Sequence, residues 1–272
     1  MTARNGMVRA LAALTFVLMV TVNALANILP INGITTGEVS DAYPNLFAPA
    51  GLTFAIWGLI YLLLLIYSIY QLGAGRTGGG RSANHELLNR VSGIFAVSSI
   101  ANSIWIFAWH YRSLALSLGL MLVILVCLIM IMQTIRRERL TNQEKMLVKL
   151  PFGVYFGWIT VATIANVTTW LVSVGWGGFG LSETTWAVAM IVAGLVIGLA
   201  AAFYYQCSSY GLVIIWAYAG IVIKHSDAAG FGGQYPAVRM AALAGIAMMS
   251  IAVIYILLRS GGSDQQTRFA RR

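Results

Sequence analysis

The chain has 272 residues, 59% hydrophobic and only 9% charged, with a mean hydropathy of +0.81. Soluble domains carry about a quarter charged residues and roughly half apolar ones, so this balance excludes an ordinary soluble domain and indicates an integral membrane protein. The net charge of +9 comes in short pieces between apolar runs, which excludes a nucleic-acid-binding stripe and reads instead as a topology signal.

A hydrocarbon core of about 30 Å demands roughly 20 apolar residues per helical crossing. Stretches that meet this demand fall near 8–28, 50–72, 91–110, 114–135, 150–172, 185–205, 210–223 and 238–258. The seventh is short and follows closely on the sixth. Each is expected to be α-helical, since lipid cannot satisfy exposed backbone and nothing alternates like a barrel strand. The predicted fold is an all-α polytopic transmembrane bundle of about eight spans. The first span follows a basic start, but it is longer than a signal-peptide apolar region and lacks a clean small-residue cleavage site, so it reads as a helix.

With the N-terminus placed in the cytoplasm, fourteen of the 17 Lys and Arg residues fall inside, and only Arg112, Lys224 and Arg239 fall outside. That bias requires an even number of crossings, so both termini are expected to be cytoplasmic. A prokaryotic cell membrane is the expected location. The first outside loop, 29–49, carries Pro30, Pro44, Pro49, Gly33 and Gly37. A loop of about 20 residues is usually either disordered or a lid with a task. Tyr43, Leu46 and Phe47 give it apolar anchors, which favours an ordered lid over a passive linker. The glycine-rich stretch 73–84 reads as a flexible linker, because it lacks the GxxxxGK[ST] pattern and follows no strand. The basic tail 260–272 is expected to be irregular and drawn to anionic headgroups.

Little in the chain points to chemistry. All eight carboxylates lie in loops or at span ends, which weighs against proton-coupled transport. His85, His110 and His225 are isolated, and none has ligand spacing, so no metal site is expected. His110, beside Trp109 and Arg112, reads as an interfacial histidine without a partner. Cys127 and Cys207 sit in separate apolar runs, which is no spacing for a disulfide or a thiolate metal site. No GxSxG elbow is present, and the expectation is a protein without catalysis of its own and with no required cofactor.

Aromatic and small polar residues are more informative. On the fifth span Trp158, Ala162, Asn166 and Trp170 are spaced by four and share one face. An unpaired amide in lipid costs about 1 kcal/mol or more, so Asn166 should face another helix or a cavity. Tyr155 precedes Trp158 by three. Phe54, Trp57 and Tyr61 lie along the second span, and Asn102, Trp105 and Trp109 along the third. A headgroup belt accounts for Trp109, Trp176, Trp186 and Trp170, but less well for Trp57, Trp105 and Trp158, which lie deeper. Rings with a few amides and hydroxyls suit a flat apolar ligand, since stacking binds it and polar groups orient it. Helix packing is the alternative for any one of these residues. Gly194 and Gly198, four apart, permit a close helix approach or a dimer face.

These pieces resemble the TspO/MBR family of tryptophan-rich sensory proteins. The resemblance rests on Tyr155, Trp158, Ala162-Thr163 and Asn166, on Asn102 and Trp105 with Phe107 and Trp109, and on the proline-led helix Pro49 to Tyr61. Departures include Ala50-Gly51 where the family usually has a prolyl-tryptophan pair, and Val154 where it usually has a proline. The resemblance covers residues 8–172 and implies a five-helix membrane domain at 1–172. On this reading 173–259 form a three-helix transmembrane extension, ahead of the cytoplasmic tail 260–272. It also implies a ligand pocket for a tetrapyrrole, haem or sterol-like molecule, formed by Phe54, Trp57, Tyr61, Asn102, Trp105, Tyr155, Trp158, Ala162 and Asn166 beneath a lid of Tyr43, Leu46 and Phe47. A homodimer and light-dependent porphyrin breakdown enter only through the resemblance. The alternative function is a small secondary transporter with a polar path through Asn102, Thr160, Thr163 and Asn166. The expected partners are the lipid bilayer and a hydrophobic small molecule, with no nucleic acid.

Overall fold

Prolines, left-handed turns and short polar caps divide the apolar chain into helices. The computed structural model describes residues 3–73 and 84–269. Among them helix α1 spans Ala3–Ile28 and stops just before Leu29-Pro30, as expected where the residue preceding proline disfavours helical backbone. A short helix, α2, spans Thr36–Asp41 and is started by a reciprocal cap between Thr35 and Glu38. A 3-10 turn at Gly51–Ala55 leads into α3, Ile56–Leu72, which ends on Gly73 in the left-handed conformation. Helix α4, His85–His110, is capped by the Asn84 side chain, and α5 spans Leu114–Arg136.

The next helix starts earlier than the apolar pattern indicates. A single turn, α6 at Asn142–Glu144, runs through a π-helical turn at Lys145–Lys149 into α7, Leu150–Ser173. The π turn lies directly ahead of Pro151, whose ring lacks an N–H and crowds the carbonyl four residues back, and a widened turn relieves that conflict. Helix α8 spans Glu183–Tyr205, α9 spans Ser208–Ser226, and α10 spans Pro236–Phe269. The backbone of α10 therefore stays helical past Ser260, where an irregular tail was expected. Of the glycine-rich linker, 74–83 lie outside the described residues, as do 270–272.

Among the described residues seven helices are long and apolar enough to cross a membrane, and there is no strand. The eighth long helix, α9, has 19 residues and polar ends at Ser208, Ser209, Lys224 and His225. At about 1.5 Å per residue it still measures roughly 28 Å, close to the hydrocarbon thickness. It runs between opposite ends of the bundle. At its start Tyr210 packs on Phe156 of α7, and near its end His225 Nε2–H donates to the Leu46 carbonyl of the first loop at 2.9 Å.

Helices α4 and α7 are mostly buried, whereas α1, α3, α8 and α10 each turn most of their surface outward. Helix α4 packs between α1 and α5, and α7 packs on α5, α9 and α3, while α10 lies against α9 and α8. Small residues allow the closest approach. A Cβ at Gly157 would stand 2.9 Å from both the Tyr210 carbonyl oxygen and Val213 Cβ, so only glycine lets α7 and α9 meet there. Gly194 and Gly198 of α8 face inward too, toward Tyr218 of α9 and Met249 of α10, so both are occupied by packing within the chain.

Candidate functional site

Three rows of aromatics converge near the end of the bundle covered by the first loop. Trp57 of α3 lies 6.2 Å, centroid to centroid, from Trp105 of α4 and from both Tyr155 and Trp158 of α7, and it stacks on Tyr61 at 5.6 Å. Phe54 meets Trp158 edge-on at 5.8 Å, and Trp105 stacks on Trp109 at 5.9 Å. These offset and edge-to-face arrangements set the positive rim of one ring against the negative face of another.

The rings border a cavity of about 50 Å³. Six of the residues named from the sequence line it together: Phe54, Trp57, Trp105, Trp158, Ala162 and Asn166. Tyr61, Asn102 and Tyr155 do not line it. They form the layer beneath, where Asn23 Nδ2 donates to Asn102 Oδ1 at 2.8 Å and Asn102 Nδ2 donates to the Tyr155 hydroxyl at 3.2 Å. Trp170 is half-buried and also stands apart from the cavity.

Three polar atoms of lining residues have no hydrogen-bond partner among the described residues: Trp105 Nε1, Trp158 Nε1 and Asn166 Oδ1. These residues are 5%, 2% and 2% exposed. Asn166 does use its amide nitrogen, donating to Ser117 Oγ at 2.9 Å, and so pins α7 to α5 while its oxygen stays unpaired. Buried polar groups are almost always bonded, so three orphans around one cavity are a concentrated cost.

The first loop closes the cavity, but through different residues from those expected. Thr36, Ser40 and Pro49 face it. Leu46 and Phe47, together with Pro44 and Asn45, line a separate recess of about 450 Å³ against Trp176 and Trp186, while Tyr43 is half-buried beside the core. An Asx turn explains the shift: Asn45 Oδ1 accepts from the Phe47 and Ala48 backbone N–H groups, turning the chain so that Pro49 reaches inward.

This lid is fastened on two sides. On one side His110, expected to be interfacial and unpartnered, is instead fully buried. Its Nδ1 lies 3.1 Å from the Ile31 carbonyl, which can only accept, so Nδ1–H donates there, and Nε2 is hydrogen-bonded to the Thr36 hydroxyl at 3.1 Å. Asn32 donates to the His110 carbonyl and Trp109 Nε1 to the Thr36 carbonyl, both at 3.1 Å. On the other side the Ala50 N–H donates to the Gly220 carbonyl at 3.0 Å, Trp216 Nε1 donates to the Thr53 carbonyl at 2.9 Å, and Lys224 pairs with Asp41 at 3.3 Å.

The family described as TSPO-like protein matches residues 9–255. The chain belongs to the TSPO-like protein family. No match is found among curated proteins or solved structures. The family match runs past residue 172 to take in α8, α9 and most of α10 of this TSPO-like protein.

Sequence reasoning missed several cavity residues of this TSPO-like protein. Trp109 shares the third-span row with Asn102 and Trp105 but is read there as part of the headgroup belt, whereas it lines the cavity; Ala165 and Thr169 continue the face of Ala162 and Asn166, so helical spacing alone could have flagged both. Thr36, Ser40 and Met121 carry no comparable signal, because a loop and a neighbouring helix bring them in.

Proposed function

We propose that this membrane protein binds a flat hydrophobic molecule, of tetrapyrrole or sterol-like chemistry, between the aromatic rows of α3, α4 and α7 beneath the first loop. The observation that carries the reading is the coincidence, around one enclosure, of the Trp57, Trp105 and Trp158 rings with unpartnered polar atoms of Trp105, Trp158 and Asn166. Rings offer stacking and dispersion to a planar ligand. Two indole N–H groups call for an acceptor such as a carboxylate or hydroxyl oxygen, and the amide oxygen calls for a donor. A pocket of this residue class usually holds about 300 Å³ or more, so the cavity of about 50 Å³ represents a closed state. Entry of a ligand then requires the lid to lift and the tryptophan rings to part, and the orphaned polar atoms favour such an opening when a ligand supplies their partners.

The transporter alternative gains no specific support from the geometry. Thr160 and Thr163 donate to carbonyls of their own helix, at Phe156 and Ile159, and Asn102 is engaged by Asn23 and Tyr155, so these groups do not form one continuous file. The binding reading is tested by titrating the purified protein with protoporphyrin and following tryptophan fluorescence. Saturable quenching is expected, with affinity reduced on the order of tenfold in Trp158→Ala, because a stacked ring is worth roughly 0.5–1.5 kcal/mol beyond its buried area. Unchanged affinity in both Trp158→Ala and Trp105→Ala would place the ligand elsewhere.

A further inference from the structure

The recess of about 450 Å³ beside the first loop is a second enclosure, which shares no lining residue with the aromatic cavity. Its volume falls in the range of about 300–1,000 Å³ usual for small-molecule sites. Leu46 and Phe47 of the loop form one wall, Leu171 of α7 another, and Trp176, Trp186 and Met190 the third. The third wall is held in place by the turn between α7 and α8. Trp186 Nε1–H donates to the Gly178 carbonyl at 2.8 Å, and Trp176 packs on Trp186 with ring centroids 4.8 Å apart. Gly178 has φ +60°, and a Cβ there would stand 3.0 Å from Trp186 Nε1, so glycine lets the turn close on the ring. Phe179 follows at φ +52°, a conformation that bulky side chains rarely adopt, and its ring meets Trp176 edge-on at 5.3 Å.

Among the described residues that line the recess, Glu183 is the single charged one. An acid in the first turn of α8 is favoured by the helix dipole, which accounts for its residue type. The cap itself is supplied by Ser182, whose Oγ accepts from the Thr185 N–H at 3.1 Å, and the Glu183 carboxylate takes no hydrogen bond or ion pair from the described residues. Glu183 is also the first residue of the candidate span Glu183–Tyr205, and Val174 and Leu181 beside it are 58% and 54% exposed. The mouth of the recess therefore lies at the edge of the hydrocarbon layer, where amphiphiles collect. A carboxylate next to indole faces in an apolar hollow complements a cation that is itself apolar. The carboxylate attracts the charge, the indole faces hold it by cation–π contact, and an anion would meet a like charge with no cation to offset it. We propose that this recess binds a hydrophobic organic cation.

The test is equilibrium dialysis of the full chain, purified in a non-ionic detergent, against radiolabelled tetraphenylphosphonium, with tetraphenylborate as a probe of the same shape and opposite charge. Saturable binding of the cation and none of the borate is expected. Glu183→Gln is expected to weaken cation binding about fivefold, as for a solvent-accessible ion pair, and Trp176→Leu about threefold, as for one cation–π contact. Glu183→Lys should abolish it. An unchanged melting temperature shows that each variant is folded, and if Glu183→Gln is not, the contrast between cation and borate in the wild type decides. Absence of saturable cation binding, equal binding of the borate, or an affinity unchanged in folded Glu183→Gln or in folded Trp176→Leu would each overturn the assignment. A cation affinity that falls in Trp158→Ala and holds in Glu183→Gln would move the probe to the aromatic cavity and overturn it too. Protoporphyrin quenching is expected to be the same in Glu183→Gln as in the wild type, so failure at the recess is distinguishable from failure at the cavity.

Discussion

Asn102 shows why a residue can sit at the heart of a site without lining it. Its oxygen accepts from Asn23 of α1 and its nitrogen donates to Tyr155 of α7, so one amide links three helices beneath the tryptophans. Asn23 also donates to the Met19 carbonyl and is therefore only partly dependent on Asn102. Interhelical hydrogen bonds in bilayers average about 0.6 kcal/mol and reach nearly 2. Asn102→Leu removes both links and is expected to cost about 1–2 kcal/mol of stability. A thermal or denaturant melt in lipid would check this, and a Tyr155→Phe double-mutant cycle would show whether the two residues are coupled. At the same scale, Trp57 touches four rings and was legible in the sequence, because an aromatic two turns inside an apolar span is poorly explained by the headgroup belt. His110 was not legible. Its partners Ile31 and Thr36 come from a loop more than 70 residues away, and no local pattern announces them.

Among the elements, the first loop is held to the bundle on two sides, by α4 and by α9. Gly220 marks one of them. A Cβ there would collide with Thr53 Oγ1 and stand 2.9 Å from Thr53 Cγ2 and 3.0 Å from Pro49 Cβ, while the Gly220 carbonyl holds the Ala50 N–H. Gly220→Ala is thus expected to push the lid off α9, seen as faster proteolysis within 29–49 and faster ligand association with little change in α1 to α7. Cleavage at the wild-type rate would show that the contact is not holding the lid. The second element-scale prediction concerns α2. The Thr35 backbone N–H, and less strongly its hydroxyl, hold the Glu38 carboxyl below the usual carboxylate range. A pKa lowered by folding adds stability above the ordinary value of about 4 and loses it as pH falls through the lower folded value. Amide-exchange protection at 36–41 should therefore decline as the pH drops below about 4. Glu38→Gln, which keeps the reciprocal cap in neutral form, should flatten that dependence.

For the molecule as a whole, eight long helices leave both ends of the chain on one side if α9 crosses, in keeping with the clustering of Lys and Arg. The contacts of α9 with Phe156 near one end of the bundle and with Leu46 near the other support this path. Reporter fusions at the two termini are expected to respond alike, both active in the cytoplasm, and opposite responses would reduce the crossings to an odd number. Much of this was readable from one dimension. Composition required a membrane protein because lipid tolerates few charges, run lengths required helices of bilayer thickness, and spacing by four placed Trp158, Ala162 and Asn166 on a common face. These are local consequences of helix geometry and transfer energies, which any stretch of about 20 residues expresses by itself. The size of the cavity, the choice of Thr36, Ser40 and Pro49 as its cover, the inward use of Gly194 and Gly198 and the recess between the first loop and Trp176 and Trp186 were decided only by the tertiary structure. Each depends on side chains brought together from distant parts of the chain, and such meetings are set by how helices pack rather than by the period within any one of them.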